Sequence, residues 1–521
     1  MSSEPNPTGK FTGLTGTVGA GTGATSAGAI AAGSPGHRLN LFDATMIVVG
    51  SMVGSGIFIV PAEMTRLLGS PGWLLVAWLL TGLLTVSGAV VYGELAGMFP
   101  RAGGQYVFLR EAFSPLWGFL YGWTLFTVIQ TGTIAAVAVA FARFTGVVWP
   151  VIAEDNYLIA PVSLGARHAI SLSTAQLTAL LVIAGLTWAN IHGLRYGKWL
   201  QNTLTVAKVA ALGGLIVLGL TWGWNAEVVA GHRAQFWTPQ PLDQVVPGVS
   251  AVTAWGLLAA LAVSQVGSLF SADSWHVISF AAEEVENPRR NLPLSMALGT
   301  LLVTGLYVLA NLAYLAVLPL EGIAKASSER VGTAVMEAMI PQAGGWLMAV
   351  AIMISTLGCD NGLILSGARA YYAMARDGLF FRGVGQLGRA GTPTRGLLLQ
   401  AAWAMLLVLP RTFDPQTGRY GNLYGALLDY VVSAALLFYL LTIVGLVRLR
   451  RVRPDAPRPV LAWGYPWVPA LYIVGAVFIL GMLVLYRPQT TWPGLALVAT
   501  GVPVYWLWRG RAPTGAGPLA D

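Results

Sequence analysis

The sequence predicts an all-α integral membrane protein with 12 transmembrane helices, and three observations predict it. Of 521 residues, 55% are apolar and only 10% are charged, against roughly 25% charged in a soluble domain. The mean hydropathy is +0.66. Apolar runs of the length a bilayer demands, ~20 residues, recur from one end of the chain to the other. Helices are expected rather than a barrel, because backbone groups in lipid must be satisfied within each segment and the runs lack strand alternation.

The runs place spans near 41–66, 72–98, 115–147, 170–190, 199–221, 249–282, 292–318, 344–375, 396–410, 423–447, 464–486 and 492–508, the ninth being the shortest. Residues 1–36 are mostly Gly, Thr, Ser and Ala, a composition expected of a disordered cytoplasmic tail. That segment lacks the cationic start and apolar core of a signal peptide. Residues 511–521 form a second short tail. With the N-terminus inside, 19 of the 30 Lys and Arg fall in inner segments, 8 in outer loops and 3 in helices. That is the positive-inside bias, which predicts both termini cytoplasmic in a cell inner membrane. The bias accounts for the +8 net charge without nucleic acid. The basic run near 448–458 is expected at a loop facing anionic lipid.

Two long runs carry residues that weaken helices. In the first, Gly50, Gly54 and Gly56 fall within seven residues, and each costs ~1 kcal/mol in a helix interior. In the sixth, Gly267, Ser268, Ser271, Asp273 and Ser274 form a cluster whose short polar side chains compete for backbone hydrogen bonds. Close packing of small residues is the alternative, and Gly50 with Gly54 has that spacing. The two runs open successive groups of five helices, and interrupted helices at matching positions point to a transporter's midplane site. Freed amides at a half-helix N-terminus suit a carboxylate, and freed carbonyls suit an ammonium. A zwitterion needs both.

Charges inside spans cost ~2.5–3.5 kcal/mol each on insertion scales, so each needs a partner or a purpose. Lys208 lies ten residues into the fifth span, ~15 Å deep at 1.5 Å per residue, and an inward-facing role is expected. Asp360 and Asp273 are its nearest candidate partners in type. Glu94 is as suited to anchoring a loop as to moving protons. Arg143 and Arg369, near helix ends, read as structural. The single cysteine, Cys359, reads as a buried small residue, which excludes an internal disulfide. The five histidines (37, 168, 192, 232 and 276) are scattered, so no metal site, cofactor or catalytic group is expected, and an enzyme is disfavoured.

Several segments, in order, resemble one family. They are Gly50 to Phe58, Gly69-Ser70-Pro71-Gly72, Tyr92-Gly93-Glu94-Leu95, Pro100-Arg101-Ala102-Gly103-Gly104-Gln105-Tyr106, and Phe280 through Pro293 with its EE-NP-R-NLP pattern. From about Leu41 to Arg450 the chain resembles the amino acid/polyamine/organocation (APC) superfamily, specifically L-type amino acid transporters and their bacterial permease relatives. The resemblance implies a leucine-transporter-like fold with an inverted 5+5 repeat. Its core would span 37–450, with repeats at 41–221 and 249–450 and two additional C-terminal helices within 451–510.

The resemblance also implies a site. A substrate carboxylate would meet the amides of Ser55 and Gly56. Its ammonium would meet the carbonyls of Met52, Phe270 and Asp273, with Phe270 as an aromatic gate. Lys208 would stand where sodium-coupled relatives bind a cation, with Ser355 beside it. Ala272 replaces a bulky aromatic and Ser274 a flexible glycine, which implies a roomier pocket if Ala272 faces inward. The cysteine that links animal relatives to a heavy chain has no counterpart after the third span, so no covalent heavy-chain partner is expected. The implied activity is sodium-independent amino-acid transport by alternating access, as an exchanger, with a proton-coupled amino-acid or polyamine symporter as the alternative. A channel or non-transporting sensor of the same fold is the rival from another class.

Overall fold

The computed structural model describes residues 38–164, 168–192, 194–242, 246–388, 391–414, 419–420 and 423–509; the tails expected at 1–36 and 511–521 lie outside them. Each predicted span coincides with a helix. In order these are α1, in two halves (Leu41–Met52 and Gly56–Leu68), α2 (Pro71–Met98), α3 (Pro115–Val148), α4 (Thr174–Ile191), α5 (Leu194–Leu220) and α6 (Ala254–Ser271). They continue as α7 (Pro288–Val317), α8 (Gly344–Arg376), α9 (Thr394–Val408), α10 (Leu423–Val452), α11 (Trp467–Tyr486) and α12 (Pro488–Arg509). Among the described residues, nine single helices are long and apolar enough to cross a membrane, and the broken α1 pair makes ten. The fifteen-residue α9 and α12, which contains Pro493 and Pro503, fall outside that measure. It therefore counts ten where the sequence reading expects twelve.

The family-like segments are helix ends and tight loops. Asn40 caps α1 by accepting from the Asp43 amide at 2.9 Å, while Asp43 accepts from the Asn40 amide at 3.2 Å, a capping box. In Gly69-Ser70-Pro71, Gly69 ends α1 in the left-handed conformation with φ 59°, Ser70 is the cap of α2, and Pro71 takes its first turn, where a missing N–H costs nothing. Gly103 and Gly104 have φ of 107° and 46°, which only glycine adopts at no steric cost. They aim Gln105 at Thr442 (3.0 Å) and Tyr106 at Asp377 (2.8 Å). In the EE-NP-R-NLP loop, Glu283 accepts from the Ala102 amide at 3.2 Å, Glu284 pairs with Arg369 at 2.7 Å, and Pro288 opens α7.

Four short strands accompany the helices. β1 (Tyr157–Ser163), β2 (His168–Ser173), β3 (Pro410–Asp414) and β4 (Arg419–Tyr420) form one antiparallel sheet in that order. Residues 170–173, expected to open the fourth span, belong to β2, and Pro410, expected in the ninth, opens β3. Alternation over such short stretches is masked in sequence by the apolar runs they abut.

Candidate functional site

Both predicted breaks are present, and their positions follow from local chemistry. The first helical half ends at Met52 and the second starts at Gly56, with a 43° bend between them. Its three glycines serve close approach as well as the break. A methyl group on Gly50 would run into Thr205 and Gln201, one on Gly54 would sit 3.2 Å from the Cys359 sulfur, and one on Gly56 would be 2.7 Å from Ser271 Cβ. The break and the small-residue packing are thus one feature.

The second break falls at the C-terminal end of the predicted cluster, at Asp273 and Ser274. The α6 helix runs through Gly267 to Ser271, the serine hydroxyl bonding back to the Gly267 carbonyl at 2.8 Å, and the chain then unwinds to a 3₁₀ stretch, Val277–Glu284. Ser274 has φ 69°, a left-handed conformation that costs a residue with a Cβ ~1–2 kcal/mol. The conformation that a glycine would adopt freely is therefore kept with a serine in place.

Around the first break the backbone is divided by polarity. Lys208, 1% exposed, donates to the carbonyls of Gly50 (2.5 Å), Val53 (2.9 Å) and Ser355 (3.3 Å). Three ammonium protons thus meet three acceptors. The Ser355 hydroxyl donates to the carbonyls of Val53 (3.2 Å) and Gly54 (3.4 Å), and the Cys359 thiol lies 3.1 Å from the Ser51 carbonyl. The acidic partners expected for Lys208 are therefore replaced by backbone. Asp273 bonds to the Tyr439 hydroxyl instead, and Asp360 makes no contact with the lysine. On the other side of the break, the amides of Ser55 and Gly56 carry no hydrogen bond among the described residues. They are the orphan donors of a helix N-terminus.

Of the three carbonyls expected to receive an ammonium, two have donors here. Met52 accepts from Tyr307, whose hydroxyl lies 2.9 Å from both the Met52 and the Ser271 carbonyls. Phe270 accepts from the Asp273 amide at 3.2 Å, while the Asp273 carbonyl has none among the described residues. The Phe270 ring meets Tyr424 edge-on at 6.0 Å, and the Tyr424 hydroxyl shares a 3.2 Å hydrogen bond with Ser55. Arg143 stacks on the Tyr424 ring at 5.4 Å and pairs with Glu154 and Glu329.

Ala272 does not enlarge the space beside the first break. It lines a cavity of about 20 Å³ with Thr85, Leu269, Asp273, Tyr439 and Tyr472, and no residue of α1 contributes. That is room for roughly one water. Glu94 anchors a loop: fully buried, it pairs with Arg450 (2.5 Å) and Arg458 (3.3 Å) and accepts from the Ala462 amide at 2.7 Å. Arg143 and Arg369 are ion-paired, as their helix-end positions suggest.

Sequence reading missed Tyr307, Tyr424 and Tyr439. A hydroxyl in an otherwise apolar span must find a partner, and that requirement was the available signal.

Residues 39–507 match the family model described as amino acid permease. The chain is 30% identical over 477 residues to the human large neutral amino acids transporter small subunit 2, covering 90% of this chain and 80% of that protein. It is 28% identical over 480 residues to the mouse Asc-type amino acid transporter 1, covering 91% and 82%. It is 26% identical over 474 residues to the mouse b(0,+)-type amino acid transporter 1, covering 90% and 88%. The chain therefore belongs to the amino acid permease family, a family of multi-pass membrane transporters and not of enzymes.

Proposed function

We propose that this chain carries amino acids across the cell inner membrane by alternating access, without sodium and by exchange, with both termini cytoplasmic and all twelve helices spanning. One observation carries the reading. The α1 break presents two unspent amides, at Ser55 and Gly56, while Lys208 holds the carbonyls on its other face. A fixed ammonium on those carbonyls does the work of a bound cation, so no sodium ion is needed to order the break. Free amides attract a carboxylate, and the α6 break supplies carbonyls for the ammonium.

Within this reading Met52, Ser55, Gly56, Phe270 and Asp273 meet substrate, Phe270 gates it, and Lys208 with Ser355 forms the structural cation site. The inverted repeat pairs 41–221 with 249–450. The chain acts without a disulfide-linked partner, because its sole cysteine is buried in α8.

The test is radiolabelled amino-acid uptake in proteoliposomes, with and without internal amino acid, in sodium or choline medium. Uptake that needs internal substrate and ignores sodium is expected. A strict sodium requirement would refute the role of Lys208. Equal competition by an amino acid and its methyl ester would refute the carboxylate anchor.

A further inference from the structure

Asp360 stands at the middle of the 33-residue α8 and is fully buried. Neither of its carboxyl oxygens has a hydrogen-bond partner. Such a group is rare, because buried polar atoms are almost always bonded and a charge within a span is paired. Among the described residues, the charged groups on the elements packed against α8 are engaged elsewhere or lie far along the helix, as Glu337 of Val331–Met339 does beside Gly345. Lys208 of α5 is held by backbone carbonyls, Arg143 of α3 by Glu154 and Glu329, and Arg369 of α8 itself by Glu284. Asp43 of α1 accepts from Asn202 at 3.0 Å, and Arg395 of α9 donates to Gln386. Among the described residues, a carboxylate charge at this position meets neither cation nor hydrogen-bond donor. Nor, among them, is any group of three or more His, Cys, Asp or Glu gathered that could hold a metal ion. The ligand this site takes is a proton.

The same stretch of α8 is fastened to the α1 break. Ser355 and Cys359, about one helical turn apart, hold the carbonyls of Val53, Gly54 and Ser51, and Cys359 immediately precedes Asp360 in the chain. On the neighbouring face a buried polar chain links Asn190 to Asn361 at 2.8 Å and Asn361 to Gln201 at 3.4 Å. Next to it, the Ser51 hydroxyl and the Gln201 amide nitrogen are buried without partners among the described residues. A rearrangement of the break that moves Cys359 also moves the turn of α8 that carries Asp360.

We propose that Asp360 is a proton site linked to the α1 break, so that substrate binding at the break is accompanied by uptake of a proton at this carboxyl. The inference rests on the amino-acid-carrier reading above. Protonation and substrate then favour the same substrate-bound state, and each strengthens the other by the same factor. The linkage has a definite sign: affinity rises as pH falls, by about tenfold per pH unit where the substrate-free form is ionised.

The experiment is titration calorimetry of the purified full chain with its transported amino acid across pH 5.5 to 8 (about the range in which a histidine also titrates), in buffers of different ionisation enthalpy. Wild type is expected to take up about one proton per bound substrate and to show the tenfold slope. Asp360→Asn is expected to take up none and to bind with a flat pH profile, whatever its transport rate. Retention of proton uptake by Asp360→Asn, or its absence in wild type, would overturn the proposal.

A second readout needs no substrate. Infrared difference spectra on titration should show a protonated-carboxyl band in wild type that Asp360→Asn lacks, and a variant spectrum identical to wild type would also overturn it. Failure of every amino acid to bind wild type would instead sink the carrier reading, and the infrared result would still decide Asp360.

Discussion

Replacing Lys208 with methionine removes the ammonium and keeps the length and most of the bulk of the side chain. Its three acceptors do not lose equally. The Ser355 carbonyl lies within a continuous helix, and the Val53 carbonyl keeps the Ser355 hydroxyl at 3.2 Å. The Gly50 carbonyl has no such substitute, because the helix ends at Met52 and Lys208 is its donor. Orphaning that buried acceptor costs ~1–3 kcal/mol, and weakening the other two bonds adds ~0.5–1.5 kcal/mol. The total is ~3 kcal/mol against the broken geometry, or about 100-fold in its population. Apparent substrate affinity falls by the same factor, since only the competent fraction binds. The assay is ligand-induced thermal stabilisation of purified Lys208→Met, with size-exclusion chromatography to establish that the variant is intact. An intact variant that binds within about threefold of wild type, under ~0.7 kcal/mol, would refute the account of Lys208.

Gly56→Ala should cut uptake ~10–100-fold, because the new methyl group overlaps Ser271 and overpacking costs ~1–3 kcal/mol. Adding Ser271→Gly should restore most of it, as scored by proteoliposome uptake per inserted protein; no recovery would place the defect elsewhere. Phe270→Ala should slow turnover ~10-fold or more while changing affinity only a few-fold, since a gate acts on closure rather than on holding; paired kinetics and binding measurements check it. Tyr424→Phe removes the Ser55 contact while keeping the ring, a loss of ~1 kcal/mol, and should weaken binding about fivefold in the same assay.

Much of this architecture was legible because lipid leaves few alternatives. A run such as 71–98 or 288–317 has to be a helix, and three glycines in seven residues announce the first break. The second break falls at the Asp273–Ser274 end of its predicted run: serines at 268 and 271 bond back to their own helix, so a polar cluster alone does not locate the unwinding within it. Lys208 was singled out by depth, yet its partners were not, since backbone carbonyls have no signature in a sequence. Asp360 and Asp273 were better candidates by charge, and geometry separated them from it. Tyr307, which ties the two breaks together through Met52 and Ser271, lies more than 250 residues from the first and carries no local pattern. The sheet was hidden because its strands are extensions of apolar runs that already read as helices.

That sheet has a mechanical consequence. β1 and β2 join α3 to α4, β3 and β4 lie between α9 and α10, and the β2–β3 ladder runs from His168–Thr412 to Ile170–Pro410. The Gln176 side chain adds bonds from α4 to the carbonyls of Val408 and Leu409 at 2.8 and 3.1 Å. Two stretches of chain some 240 residues apart are thereby stapled into one roof beam over four helices. Splaying those helices at this end would require breaking the ladder. The helices outside the beam include α1 and α6, the two that come already broken.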